Sequence, residues 1–86
     1  MATYGKDIAG RTCVYRAYIG WHLAYVGVTR NTRGRFSKHS SLKPWWRDVD
    51  YIDVEWFDTR AEAFAAEKRA IAEEAPMHNI ARPKVA

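Results

Sequence analysis

The sequence predicts a small α+β domain in which a three-stranded antiparallel sheet is flanked by helices. Three segments, at residues 12–18, 23–29 and 51–57, are rich in the β-branched and aromatic residues that favour strands. An alanine-rich segment at residues 60–74 has high helix propensity instead. Because the chain has only 86 residues, we expect one domain over residues 1–86, with its core at about 12–80.

The first two strands are expected to form an antiparallel hairpin. Residues 12–18 read Thr-Cys-Val-Tyr-Arg-Ala-Tyr, and residues 23–29 read Leu-Ala-Tyr-Val-Gly-Val-Thr. The four residues between them, Ile-Gly-Trp-His at 19–22, include a glycine and suit a hairpin connection.

A short helix is expected after the hairpin, at about residues 33–40. Asn31 and Thr32 precede this segment and have the side-chain oxygens that cap a helix N-terminus. The helix is short and its propensity is moderate, so packing must hold it. The run Ser41-Leu42-Lys43-Pro44 breaks the helix, and Trp45 and Trp46 then form a turn or a short helix under the core.

The third strand, at residues 51–57, alternates polar and apolar side chains. Successive side chains of a strand point to opposite faces of the sheet. Asp53 and Glu55 therefore lie on one face, and the other face carries Ile52, Val54 and Trp56.

The second helix has the clearest boundaries. Thr59 and Glu62 match a capping box, in which each of two side chains accepts a hydrogen bond from the backbone amide of the other residue. Pro76 ends the helix, because the residue before a proline disfavours the helical conformation. We expect the helix at about residues 60–74.

One carboxylate falls on the apolar face of this second helix. That face consists of Ala63, Phe64, Ala70 and Ile71, which follow helical spacing. Glu67 comes three residues after Phe64 and four before Ile71, so it shares the face. Burial of an unpaired carboxylate is costly, so Glu67 must reach solvent, pair with a base or bind a cation at the edge of the core. A solvated or salt-bridged glutamate is the commonest of these outcomes.

The composition excludes several classes of protein. Cys13 is the only cysteine, so neither an intramolecular disulfide nor a cysteine-based zinc site can form. No apolar run approaches the roughly 20 residues that cross a bilayer. Residues 1–7 lack the apolar core of a signal peptide. We therefore expect a cytoplasmic protein that does not associate with membranes.

Positive charge is concentrated in the first half of the chain. Residues 1–47 carry nine Lys/Arg and one acid, a net charge of +8, whereas residues 48–86 carry five Lys/Arg and nine acids, a net charge of −4. A focused basic segment suits nucleic acid as a partner, although a solvated helix face would have the same composition. The candidates for contact with a DNA backbone are Arg30, Arg33, Lys38, Lys43 and Arg47.

Two motifs on the first two strands resemble the paired signatures of the GIY-YIG endonucleases. Residues 13–15 read Cys-Val-Tyr, with cysteine where the family has glycine, and residues 25–27 read Tyr-Val-Gly. Tyr15 and Tyr25 are ten residues apart, which matches the spacing of the family's two motifs. A literal Tyr-Ile-Gly at residues 18–20 is rejected, because it follows Tyr15 too closely for a turn between two strands.

The rest of the family pattern follows in order along the chain. Arg35 and His39 match an arginine on the first helix and a histidine four residues later, on the same helix face. Glu67 matches the metal-binding glutamate of a later helix. Pro76 and Asn79 match the proline and asparagine that close the pattern. The resemblance covers nearly the whole chain, and the order of its five elements argues against coincidence.

The resemblance implies a metal-dependent DNA endonuclease that hydrolyses phosphodiester bonds. Glu67 would hold one divalent cation, Mg²⁺ or Mn²⁺, which would act as a Lewis acid near the scissile phosphate. Tyr15 would be the general base or would position the attacking water. A base role requires nearby positive charge that favours the phenolate, and Arg35 is the candidate for it. Arg35 would also clamp the phosphate.

The remaining matched residues have supporting roles in this interpretation. Tyr25 would orient the water or the phosphate, and His39 would bond to Tyr15 or contact phosphate. Asn79 would fix the active-site loop or hydrogen-bond to a tyrosine. Gly27 would let the backbone approach closely.

Less specific interpretations stay open. Tyr15 and Tyr25 could be cross-strand core aromatics, and Arg35 could belong to a solvated helix face together with His39. Asn79 could be a simple turn former. Two rival functions are possible on the same fold. One is a non-catalytic nucleic-acid-binding module, and the other is a nuclease subunit that depends on a partner. Many family members carry an attached DNA-binding domain that this chain lacks, so a homodimer and a separate targeting partner are both open. A phage or a mobile element is the expected source.

Overall fold

A computed structural model describes residues 10–79, and its elements confirm the expected fold class. In chain order they are strand β1 (Thr12–Ile19), strand β2 (His22–Thr29), helix α1 (Thr32–Leu42), a 3-10 helix (Pro44–Asp48), strand β3 (Tyr51–Phe57) and helix α2 (Arg60–Glu74). The strands form one antiparallel sheet in the order β2-β1-β3. The expected core limit at residue 80 lies outside the described residues.

The boundaries agree closely with those expected from sequence. β3 and α2 begin and end at the predicted residues, and both hydrogen bonds of the Thr59–Glu62 capping box form. α1 continues to Leu42, beyond the expected end at residue 40, because the break comes at Pro44 itself. Within the described residues, no helix is both long and apolar enough to cross a membrane.

The hairpin connection is tighter than the four residues expected. Ile19 pairs with His22, so only Gly20 and Trp21 lie outside the strands. Gly20 has φ +61°, the positive value that two-residue hairpin turns require at their first central position. The turn sets the pairing next to it, and an irregularity between Ala17 and Tyr18 then shifts the register of β1 and β2 by one residue. The shifted register decides which side chains lie opposite each other over the rest of the two strands.

β1 is the central strand and divides the protein into two small cores. Cys13, Tyr15 and Ala17 point to the side of α1, where they pack with Phe36 and Ile52. Val14 points to the other side, where the core is completed from β2 and α2 by Val26, Val28, Ala63 and Ala70. Because β1 is covered on both faces, its residues are almost all buried.

Phe64 does not join the core that α2 buries, contrary to expectation. Its side chain is 44% exposed, whereas Ala63 and Ala70 are buried and Ile71 packs against their cluster. Residues 63 and 70 face the sheet, whereas residues 64 and 71 lie about 100° round the helix from them, at the margin of the buried face. Ile71 packs inward from this margin, and Phe64 lines a surface cleft instead. The apolar face of α2 is therefore narrow and built mainly from alanine.

The two edge strands of the sheet, β2 and β3, are protected in different ways. The outer edge of β2 is covered by the segment after α2, since Met77 N–H donates to the Leu23 carbonyl at 3.1 Å and His78 N–H to the Ala24 carbonyl at 2.8 Å. β3 is the other edge strand. One of its faces carries the exposed acidic side chains of Asp53 and Glu55, and its apolar side chains lie on the opposite face, as predicted. Charged side chains on an edge strand discourage pairing with another sheet.

Candidate active site

A surface cleft opens where β2, the start of α1 and the first half of α2 meet. Its volume is about 370 Å³. The side chains and backbone that line it include Tyr25, Gly27, Arg30, Asn31, Arg35, Arg60, Phe64 and Glu67. Three residues that the resemblance nominates as catalytic, Tyr25, Arg35 and Glu67, therefore come from three different elements to one cavity.

Tyr15 lies directly behind the wall of this cleft. The register of β1 and β2 places Tyr15 opposite Gly27, and the rings of Tyr15 and Tyr25 are 6.1 Å apart. A Cβ added to Gly27 would overlap the Tyr15 hydroxyl and come within 2.8 Å of its ring carbon Cε1. Glycine at position 27 thus lets the Tyr15 hydroxyl occupy the space where a side chain on the cleft wall would begin.

Tyr15 and His39 form a buried hydrogen-bonded pair. The Tyr15 Oη and His39 Nε2 atoms are 2.6 Å apart, and both side chains are almost completely inaccessible to solvent. Desolvation, supported by the positive charges of Lys43 and Arg35, lowers the pKa of His39 from 6.5 to about 4. Neutral His39 can accept a proton at Nε2. Because the nearby Arg35 offers only donors, we assign the Tyr15 hydroxyl as the donor to His39.

Arg35 does not make Tyr15 a phenolate, although the sequence interpretation required it for a base role. Burial raises the pKa of Tyr15 well above its ordinary value of 10.0, and neighbouring Tyr25 raises it further. The charge of Arg35 opposes this rise but is outweighed. Tyr15 is therefore a neutral phenol in the free protein, and its hydroxyl donates a hydrogen bond to Nε2 of His39.

The buried imidazole predicts a specific pH dependence of stability. Between pH 6.5 and about 4 the unfolded chain protonates His39 and the folded chain does not, so the free energy of unfolding falls as the pH falls. Replacement His39→Gln should flatten this slope in urea denaturation at pH 7 and pH 4.5. The control His22→Gln, at an exposed position, should keep the wild-type slope. An NMR titration of His39 with a midpoint near 6.5 would contradict the assignment.

Glu67 is a partly buried carboxylate that forms no ion pair with the described residues 10–79. Desolvation raises its pKa, and the charge of Arg35 only partly opposes the rise. Within residues 10–79, no cationic nitrogen lies within ion-pair distance of its oxygens, and no cluster of three metal-ligating side chains occurs. A single desolvated carboxylate facing a cleft fits Mg²⁺, which keeps several waters and completes its shell with substrate oxygens.

Asn79 acts on the backbone of β2 rather than on a tyrosine. Its Oδ1 accepts from Val26 N–H at 2.7 Å, and its Nδ2 donates to the Val26 carbonyl at 2.9 Å. This pair of bonds continues the cover that residues 77 and 78 give to the β2 edge. Asn79 therefore holds the strand between Tyr25 and Gly27 in place, whereas the resemblance implied that it fixes an active-site loop or bonds to a tyrosine.

The Asn79 side chain is expected to contribute measurably to stability. Asn79→Ala leaves the Val26 N–H and carbonyl without partners in a partly buried place, and should lower the free energy of unfolding by about 1–3 kcal/mol. Amide hydrogen exchange at Val26 should accelerate in the variant more than exchange at Val14 in the central strand. Unchanged stability and unchanged exchange would mean that the two bonds do not hold β2.

The basic residues proposed to contact DNA do not all surround the cleft. Arg30 lines it, and Lys43 lies beside it with its ammonium 5.3 Å from the centre of the Tyr25 ring. Lys38 is exposed on the flank of α1 that carries Arg35, since three residues correspond to about 300° of helix rotation. Arg33 lies about 200° round the helix from Arg35 and so faces away.

Arg47 belongs to a separate hollow. That hollow lies at the end of α1 and is also lined by Ser40, Ser41 and Trp46. Lys43 also lines this hollow, so Arg30 is the one member of the basic set that lines the cleft within the described residues.

Among the cleft residues that the sequence interpretation missed, two lie on α2. Arg60 and Phe64 line the cleft beside Glu67. Their spacing, four and then three residues along α2, puts all three on one helix flank, and that spacing was the available signal. The rejected Tyr-Ile-Gly run lies elsewhere: Tyr18 stacks on Tyr51 near the hairpin turn, with ring centres 4.9 Å apart.

The aromatic pair after α1 is divided between the core and the edge of the site. Trp46 packs against the core on the α1 side. Trp45 stacks on His78 with ring centres 4.2 Å apart, and its ring is 5.7 Å from that of Tyr25.

No protein-family model matches the chain, and neither the curated proteins nor the solved structures contain a significant match to it.

Proposed function

We propose that the protein is a metal-dependent endonuclease that hydrolyses phosphodiester bonds in DNA. The observation that carries this proposal is the convergence of Tyr25, Arg35 and Glu67 on one cleft, with the Tyr15–His39 pair buried behind its wall. A phenol, a guanidinium and an unpaired carboxylate are the groups that metal-assisted phosphodiester hydrolysis needs at one place. The net charge of +8 on residues 1–47, from which most of the cleft is built, favours a polyanionic substrate.

Glu67 would hold one Mg²⁺ or Mn²⁺ ion. When bound, such an ion polarises a phosphate oxygen and stabilises the charge on the leaving oxygen. Glu67 suits the task because desolvation disfavours its bare ionised form, so that a cation in the cleft relieves an existing cost.

A single cysteine, Cys13, favours a reducing compartment, which agrees with a cytoplasmic protein.

Arg35 is the group of the cleft best suited to bind the phosphate. A guanidinium presents several donors in one plane and stays charged at every working pH, so it can hold two phosphate oxygens at once. Arg35 is close enough to both Tyr15 and Glu67 for its charge to oppose the rise in the pKa of each. It would place the phosphate next to both groups, while Tyr25 orients the phosphate or the attacking water.

Once substrate binding admits the attacking water to the Tyr15 oxygen, which is buried behind the cleft wall in the free protein, the Tyr15–His39 pair would supply a route for the proton of that water. As the water oxygen attacks phosphorus, its proton passes to the Tyr15 oxygen, and the Tyr15 proton passes to Nε2 of His39. His39 becomes an imidazolium and Tyr15 remains a phenol throughout. This route requires neutral His39, which its pKa of about 4 provides at physiological pH.

Incubation with supercoiled plasmid DNA tests the proposal. Nicked or linear products should form with Mg²⁺ or Mn²⁺ and should be absent with EDTA. DNA binding without cleavage, under every divalent ion tried, would favour a non-catalytic nucleic-acid-binding module. Cleavage that appears only after addition of a second protein would indicate a subunit that depends on its partner.

A further inference from the structure

We propose that Arg60 and Phe64 form a recognition element that binds one unpaired nucleotide beside the phosphate to be cleaved. The inference rests on the proposed function, because it assigns the substrate class of the same cleft. It identifies two residues for which neither the core nor the hydrolytic chemistry described above accounts.

Phe64 is an exposed aromatic residue on a helix that also carries buried apolar residues. The side chain is 44% exposed, although the neighbouring core on α2 is built from alanines that leave room for a narrow apolar contact only. Exposure of part of a phenylalanine ring forgoes some of the stabilisation that its full burial would contribute. The ring instead lines the cleft, three residues from Glu67 along the same flank of α2.

Arg60 places a positive charge against the aromatic ring of Phe64. Its guanidinium carbon lies 5.0 Å from the centre of the Phe64 ring, so the cation is held over the aromatic face. A nucleotide offers the complementary pair of groups, a planar base and a phosphate. A base can stack on an aromatic ring or on a guanidinium plane, while the phosphate pairs with the charge.

The size of the cleft favours a single nucleotide with its base unstacked. About 370 Å³ is near the lower end of the range for pockets that hold one small ligand, and far less than a duplex occupies. In a duplex the faces of each base are covered by the neighbouring bases, so stacking on Phe64 requires a base that is already free. Single-stranded DNA, and unpaired nucleotides next to a duplex, satisfy this requirement.

The contribution of stacking sets the size of the expected effect. Removal of one base–aromatic contact costs about 1–3 kcal/mol, which corresponds to a 5- to 150-fold loss of affinity. The loss should affect single strands and leave duplex binding unchanged within twofold, because a duplex contacts the basic residues but not the face of Phe64.

Fluorescence anisotropy in EDTA tests the inference without any need for cleavage. A single-stranded oligonucleotide and the matching duplex are compared for wild type, Phe64→Leu and Phe64→Trp. Leucine keeps the apolar volume and removes the ring, so single-strand affinity should fall by 5- to 150-fold. Tryptophan should restore it. Arg60→Gln should weaken single-strand binding, and Arg69→Gln, an exposed arginine elsewhere on α2, should have a much smaller effect.

A 2-aminopurine base in the single strand provides the direct signature of stacking. Its fluorescence should be quenched by wild type and not by Phe64→Leu. Equal losses on single strand and duplex, or a Phe64→Leu variant that binds both as wild type does, would overturn the inference. Phe64-dependent quenching in a protein that never cleaves DNA would overturn the proposed function alone. Absence of DNA binding by wild type would overturn both.

Discussion

Replacement of Glu67 by glutamine is expected to abolish Mg²⁺-dependent cleavage of plasmid DNA while DNA binding is retained. Glutamine keeps the shape of the side chain and removes the charge that a divalent cation requires. A bound metal contributes several kcal/mol to the stabilisation of a phosphoryl transition state, so the rate should fall by about 10³-fold or more. Binding measured in EDTA should be at least as tight as that of wild type, since a negative charge has been removed from the cleft.

The same replacement separates metal binding from activity. Because the folded state raises the pKa of Glu67, the ionised carboxylate costs stability at pH 7, and Glu67→Gln should melt at a slightly higher temperature than wild type without metal. The difference should vanish below pH 4.5, where the carboxyl is protonated in both states. Mg²⁺ should raise the melting temperature of wild type and not of the variant.

Glu73→Gln is the matched control for Glu67→Gln. Glu73 is an exposed carboxylate on the same helix and does not line the cleft. Its replacement should leave cleavage and the Mg²⁺-induced rise in melting temperature unchanged. If Glu67→Gln cleaves DNA as wild type does, Glu67 is not the metal-binding carboxylate.

Arg35→Ala is the second replacement with a large expected effect. Loss of the guanidinium removes the phosphate clamp from the centre of the cleft and should lower the cleavage rate by about 10²–10³-fold. The fold should persist, because Arg35 lies at the margin of the core and Phe36 and His39 supply the buried contacts of α1. Rates under saturating DNA show whether the loss lies in catalysis rather than in binding.

Arg33→Ala provides a control of the same charge, on the same helix and within two residues. Arg33 points away from the cleft, so the rate at saturating DNA should stay within about twofold of wild type. Equal losses in the two variants would indicate that α1 contributes only general positive charge. In that case the proposed clamp would have to be abandoned.

The fold could be predicted from sequence because local signals and tertiary packing agree. The Thr59–Glu62 capping box and Pro76 set the limits of α2, and alternation sets those of β3. The hairpin was expected with a longer loop, because sequence does not show how far strand pairing continues beside a glycine. The end of α1 depended on whether Ser41 or Pro44 breaks the helix, and tertiary contacts decide between them.

The residues of the site were easier to nominate than their chemical states. The resemblance to the GIY-YIG pattern brought Tyr25, Arg35 and Glu67 forward, and the three do line one cleft. The state of Tyr15 could not be predicted, because the balance between burial and the charge of Arg35 depends on three-dimensional distances. Phe64 was assigned to the core because sequence shows that a residue is apolar but not how wide the buried face of its helix is.

Paramagnetic broadening by Mn²⁺ in NMR spectra tests most directly whether the cleft is a metal site. The account predicts that substoichiometric Mn²⁺ selectively broadens the backbone amide signals of Gly27, Arg35 and Glu67. Signals of Trp21 and Tyr51, at the hairpin end of the sheet, should remain sharp, and Glu67→Gln should abolish the selective broadening. Broadening centred on the acidic edge at Asp53 and Glu55, or spread evenly over the protein, would contradict the account.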